Sequence, residues 1–299
     1  MSAKITTPSF SQSYGSYGPA VAWVTFFVSI IVSWWALLWM SVEHNAIRNT
    51  SFSGGDFPSS GFDLSSSSSE ASLPLGINAD LLLSLCLTAT NELTFIGLVA
   101  MWSIMSLAMM APTAVPMLKS YQDILVAGNG KISPRAFWAL LGGYLTVWIC
   151  FSIPAAGLQL LLATFDLLAV DGTSLSGWLT TGLLALAGIY QFTPIKEACL
   201  SKCRSPMAYF MGRWQPGIAG AYRMGLHHGA ICVGCCWALM LLGFVGGTMN
   251  PLWMFGAMVL MICEKLPDIG RYITRPLGIV LLAAAFLFLG QTLGVLSLS

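Results

Sequence analysis

The chain has 299 residues, 56% of them hydrophobic and 8% charged, with a formal net charge of +1. Soluble domains carry roughly 25% charged residues, so this composition excludes an ordinary water-facing surface, whereas a lipid-facing exterior tolerates apolar cover. The near-neutral balance gives no reason to expect nucleic acid as a partner. The expected fold is all-α, a polytopic transmembrane bundle with room for six to eight helices and not for separate soluble domains.

A crossing helix needs about 20 mostly apolar residues. Seven stretches qualify, at 20–41, 94–117, 136–163, 176–195, 229–247, 250–266 and 277–297. Residues 1–19 read as a polar tail rich in Ser, Tyr and Gly. The apolar run after it is too long for a signal-peptide core and ends in Glu43-His44-Asn45, so it reads as an uncleaved first span over 20–41. Residues 42–93 form the one long connection, an outer loop with Asp56, Asp63, Glu70, Asp80, Glu92 and a serine run over 65–69. Much of it is expected to be flexible, and the apolar stretch 79–90 is too short to cross and reads as an interfacial or re-entrant helix. Residues 94–299 hold the remaining six spans, of which 136–163 is overlong and carries Pro154, a site for a kink or tilt.

The basic residues are distributed unevenly between these spans. The tail holds Lys4, the second connection Lys119, Lys131 and Arg135, the fourth Lys196, Lys202, Arg204, Arg213 and Arg223, and the sixth Lys265, Arg271 and Arg275. Only Arg48 falls on the opposite face. The excess of Lys and Arg on cytoplasmic loops then predicts an N-terminus inside and a C-terminus outside.

Six of the eight cysteines gather on the face expected to be cytoplasmic or close to it. Cys199 and Cys203 are spaced i, i+4 in the fourth connection, Cys232, Cys235 and Cys236 open the fifth span on one helical stripe, and Cys263 ends the sixth beside Glu264. Cys86 falls outside and Cys150 near mid-span, where a small apolar residue needs no function. Structural disulfides belong to oxidising compartments, so thiols on the reducing side point to metal ligation, thiol chemistry or packing. Methionines supply a second soft donor set. Met101, Met105 and Met109, with Met110 beside them, make a stripe on the second span, and Met254, Met258 and Met261 make another on the sixth. Thiolate with thioether selects Cu(I), and Zn²⁺ is the thiolate-only competitor. His227 and His228 precede the cysteine run, as completing ligands or as interfacial residues. Glu264 is an acid at the inner end of a span, a functional candidate or the local partner of Lys265.

Three segments, Met101–Pro112, Tyr190–Pro206 and Gly225–Met240 with Met249-Asn250 and Glu264-Lys265, resemble a family of uncharacterised prokaryotic proteins described as predicted metal-binding integral membrane proteins. The resemblance covers roughly residues 95–290. It implies a bacterial or archaeal cytoplasmic (inner) membrane and a metal role, copper handling or help in assembling a copper enzyme. That client, or other membrane subunits, would be the partner.

The expected site is a Cu(I) centre between spans two, five and six, with Cys232, Cys235 and Cys236 as core ligands and Met105, Met109 and Met110 opposite. Cys199 and Cys203 with His227 and His228 form a relay on the way in or out, and Cys263 and Glu264 are further candidates. A membrane thiol oxidoreductase exchanging through Cys232 and Cys235 is the competing chemistry, and a structural subunit held by close contacts at Gly243-x-x-x-Gly247 is the third reading. No nucleophile–base pair, phosphate loop or paired carboxylates stand out, so a hydrolase or NTPase is not expected.

Overall fold

The computed structural model describes residues 18–52, 95–129, 134–169 and 172–294. The polar tail up to residue 17 and the outer loop from residue 53, with Cys86 and the 79–90 helix, lie outside these residues. Among the described residues the architecture is all α. In chain order the elements are α1 (Gly18–Phe52), α2 (Phe95–Met110), a 3-10 turn (Pro112–Ala114), α3 (Val115–Asn129), α4 (Pro134–Thr164), α5 (Gly177–Tyr190), α6 (Pro194–Arg204), α7 (Pro206–Gly212), α8 (Gly217–Leu241), the single turn α9 (Gly243–Gly246), α10 (Pro251–Lys265) and α11 (Gly270–Thr292).

Four helices are long and apolar enough to cross a membrane, at Ala20–Val42, Pro134–Thr164, Gly217–Gly246 and Gly270–Thr292. A fifth would be the pair Phe95–Met110 and Pro112–Gly128, bent by 42°. The other two expected stretches form α5 and α10, of 14 and 15 residues, short of an approximately 30 Å hydrocarbon core at about 1.5 Å per residue. α4 runs 31 residues with Pro154 inside it and stays one helix.

Each short helix is laid against a long one. A Cβ at Gly177 would lie 2.3 Å from Thr292 Oγ1, and one at Gly188 would lie 2.8 Å from Leu282, so α5 runs antiparallel along α11. The chain breaks at residues 191–193, where Thr193 caps α6 by accepting from the Lys196 amide and Pro194 sits at the first helical position. α6 then packs on α8, and Arg204 at its end reaches α11, its Nη2 donating to Thr274 Oγ1 at 3.0 Å. α10 folds back on the C-terminal half of α8, since Trp253 Nε1 donates to the Leu242 carbonyl at 2.9 Å and Lys265 Nζ lies 3.1 Å from Cys232 Sγ.

The glycine contact expected at Gly243-x-x-x-Gly247 differs from what forms. Gly247, expected in a helix-contact motif, has φ 91° and ends the helix, a left-handed conformation that side chains disfavour. The close backbone contact is between α4 and α8 instead. A Cβ at Gly225 would lie 2.0 Å from the Leu140 carbonyl oxygen, and one at Gly143 would lie 2.2 Å from that of Tyr222. Gly225-x-x-x-Gly229 is therefore the spacing that lets two helices touch.

The α2–α3 bend has a local cause. Pro112 has no N–H for the Ala108 carbonyl, which accepts from Trp34 Nε1 of α1 at 3.1 Å. The freed Met110 carbonyl accepts from Thr113 Oγ1 at 2.8 Å and Tyr144 OH at 3.2 Å. The bend thus turns polar groups inward, toward α8.

Candidate metal centre

Positions i, i+3 and i+4 of a helix share a face, and on α8 they bring the ligand atoms of Cys232, Cys235 and Cys236 within 4.8 Å of one another. Each of the three residues is 1% exposed. Cys235 Sγ and Cys236 Sγ are 3.2 Å apart. A fourth sulfur comes from α6, which seats on α8 where Gly234 has no side chain. A Cβ there would meet Cys199 Sγ at 2.9 Å, and Tyr190 OH donates to the Gly234 carbonyl. One turn on, buried Cys203 places its sulfur 3.9 Å from that of Cys235. All seven cysteines among the described residues are free thiols.

Polar groups from three other elements converge on Cys232. Tyr144 OH of α4 and Lys265 Nζ of α10 each lie 3.1 Å from its sulfur. Lys265 also donates to Thr113 Oγ1 at 2.8 Å, and Thr113 is 3.2 Å from Tyr144 OH. Lys265 is 8% exposed, and no carboxylate pairs with it among the described ion pairs. A buried ammonium needs a counter-charge, and the sulfur of Cys232 is the group placed to supply one as thiolate. Against it lies a cavity of about 10 Å³ lined by Thr113, Pro116, Met117, Tyr144, Cys203, His228, Cys232 and Lys265. His228 is 4% exposed, and its Nδ1 has no hydrogen-bond partner among the described residues.

The other predicted residues are distributed around this centre. Met105, Met109 and Met110 are buried on α2, with Met110 Sδ 4.0 Å from Thr113 Oγ1 at the edge of the site. His227 faces away from the cavity, with Nδ1 2.6 Å from Tyr209 OH and Nε2 2.8 Å from Arg213 Nη1. Cys199 is half-buried against Gly234, and Cys263 is half-buried on α10. Glu264 turns from the sulfurs to a fully buried ion pair, its oxygens 2.9 and 3.1 Å from Lys196 Nζ. The alternative partner, Lys265, is therefore not the one it uses, because adjacent residues on a helix point about 100° apart.

Sequence reasoning missed Thr113, Met117, Tyr144 and Lys265. Met117 and Thr113 carry a usable signal, the Pro112 and Pro116 that break a methionine-bearing span. Tyr144 carries none, since it reads as one aromatic within an apolar run.

The model of a family described as PpoB2, copper chaperone, matches residues 99–288. The chain matches no curated protein and no solved structure. The matched stretch starts in α2 and ends in α11, so it contains every residue named at this centre and leaves out α1. On that match, which spans more than half of its length, the chain belongs to the PpoB2 copper chaperone family.

Proposed function

We propose that the chain is a multi-pass protein of a prokaryotic cytoplasmic membrane that holds Cu(I) on Cys232, Cys235 and Cys236 and hands it on to a copper-dependent enzyme. The convergence of three buried sulfurs on one face of α8 carries this reading, with a fourth at Cys203 close by. Soft, polarizable sulfur at low coordination suits Cu(I). Each cysteine must lose its proton to ligate, and the Lys265 ammonium 3.1 Å from Cys232 Sγ offsets part of the charge that this leaves. Cargo then moves by ligand exchange, one sulfur joining as another leaves, so no bond in an organic substrate is made or broken. Cys203 and His228, which line the cavity, are the inner steps of a relay whose outer step is Cys199, and Met110 with Met105 and Met109 forms its thioether side, while His227, both ring nitrogens engaged by Tyr209 and Arg213, stands outside it.

The burial of Cys232 and Cys235 speaks against thiol–disulfide exchange, because a cavity of about 10 Å³ leaves a substrate disulfide no approach. Full-length protein purified in detergent under reducing conditions is expected to carry about one copper per chain, with an X-ray absorption edge of Cu(I) and sulfur neighbours. The Cys235→Ser, Cys236→Ser double variant is expected to lose it. Unchanged copper in that variant, or zinc in place of copper in the parent, overturns the proposal.

A further inference from the structure

A second concave site lies at the start of α8, on the far side of His227 from the thiols. Its volume is about 380 Å³, and its walls include Tyr209, Arg213, Trp214, Arg223 and His227, with no acidic residue among them. The ion pairs among the described residues are Lys196–Glu264 and Arg204–Glu197, so no carboxylate of the described residues neutralises Arg213 or Arg223. The hydrogen bonds fix a further donor. Arg213 Nη1 can only donate to His227 Nε2, so the neutral ring carries its hydrogen on Nδ1 and gives it to Tyr209 OH. The Tyr209 hydroxyl hydrogen is then free for a ligand. Burial pushes its phenol above the ordinary value, which keeps it protonated. Trp214 is held rigid by stacking on Tyr121, with ring centroids 5.4 Å apart.

Two guanidiniums, one hydroxyl and an aromatic wall make a receptor for a phosphate group. The surroundings decide its source. Met211, 72% exposed, and Ile218, 50% exposed, flank in sequence the cleft residues Arg213, Trp214 and Gln215, and the cleft opens at the first turns of the apolar helix Gly217–Gly246. A cationic mouth with an apolar collar at the end of a crossing helix matches a lipid, headgroup and chains together, better than a free anion. We infer that this cleft binds the phosphate headgroup of an anionic phospholipid. The inference rests on the membrane reading of α8 and not on copper. Failure of the membrane reading would show separately, as protein recovered without detergent.

The test is native mass spectrometry of the full chain mixed with equimolar phosphatidylglycerol and phosphatidylcholine. The parent is expected to prefer phosphatidylglycerol about thirtyfold, and the Arg213→Gln, Arg223→Gln double variant is expected to lose that preference. Arg223→Gln alone, which removes no hydrogen bond or ion pair among the described residues, is expected to lower it about fivefold. A thermal unfolding midpoint in detergent equal to the parent's shows that the variants are folded. Equal binding of both lipids by the parent, or a preference that survives in the folded variants, overturns the inference. Displacement of phosphatidylglycerol by millimolar inorganic phosphate also overturns it, because the site would then be one for free anions.

Discussion

An ammonium beside a buried sulfur is in a different position from one at a membrane surface, where water and headgroups share its charge. Lys265 is of the first kind, with Cys232 Sγ at 3.1 Å and Thr113 Oγ1 at 2.8 Å as its polar contacts. Groups that orient and charge-balance a ligand without touching the metal typically carry about 10- to 100-fold in metal affinity. Lys265→Met, close in length and uncharged, is therefore expected to weaken Cu(I) binding by roughly that factor, read by competition with a chromogenic Cu(I) chelator. Affinity equal to the parent's would reduce Lys265 to packing. In the sequence this residue stood as the neighbour of Glu264 and one more basic charge at a span end. Helical geometry already argues against pairing residues one apart, but nothing in the sequence says that Cys232 lies across from it.

At the scale of elements, α6 is clamped between α8, α10 and α11. Cys203 faces Cys235 on α8, Lys196 pairs with Glu264 on α10, and Arg204 donates to the Glu264 carbonyl at 2.9 Å and to Thr274 on α11. Both members of the Lys196–Glu264 pair are 1% exposed. Removing one partner of such a pair costs about 3–5 kcal/mol, whereas replacing both with apolar groups is often neutral or better. Glu264→Gln is thus expected to lower the thermal unfolding midpoint sharply while copper stoichiometry holds, and Lys196→Met with Glu264→Met to restore the midpoint. Copper loss in Glu264→Gln at an unchanged midpoint would return the carboxylate to the ligand set. The sequence offers two readings of this acid at a helix end, a functional group or the local partner of Lys265. Its actual partner lies 68 residues away, a distance no local pattern reports.

For the whole molecule, the open quantity is the number of crossings. Five crossings or seven put the two termini on opposite sides, and four put them on the same side. The sides of the Gln215 loop separate five from seven. Were α5 and α10 not to cross, Lys196, Lys202, Arg204 and Arg213 would stand on the outer face, against the usual placement of basic loops. The alignment of α5 along α11 from Gly177–Thr292 to Gly188–Leu282 favours its crossing with it. Reporter fusions are expected to find the N-terminus and the Gln215 loop inside and the C-terminus outside. A C-terminus on the same side as the N-terminus would remove the odd count altogether.

Composition and local pattern by themselves determined the all-α class, the apolar stretches and the cysteine stripe at 232, 235 and 236. These depend on helical periodicity and on the cost of polar backbone in lipid, both readable over twenty residues or fewer. Only the tertiary structure decided that Cys203 joins the stripe, that Lys265 and not Glu264 faces it, and that α4 meets α8 through Gly143 and Gly225. Those outcomes follow from which helices are neighbours and how each is rotated about its axis. Packing sets both, and near-uniform apolar helices carry little asymmetry in their sequence to announce it. The candidate metal centre is thus a stripe legible in one helix, completed by side chains that other elements bring to it.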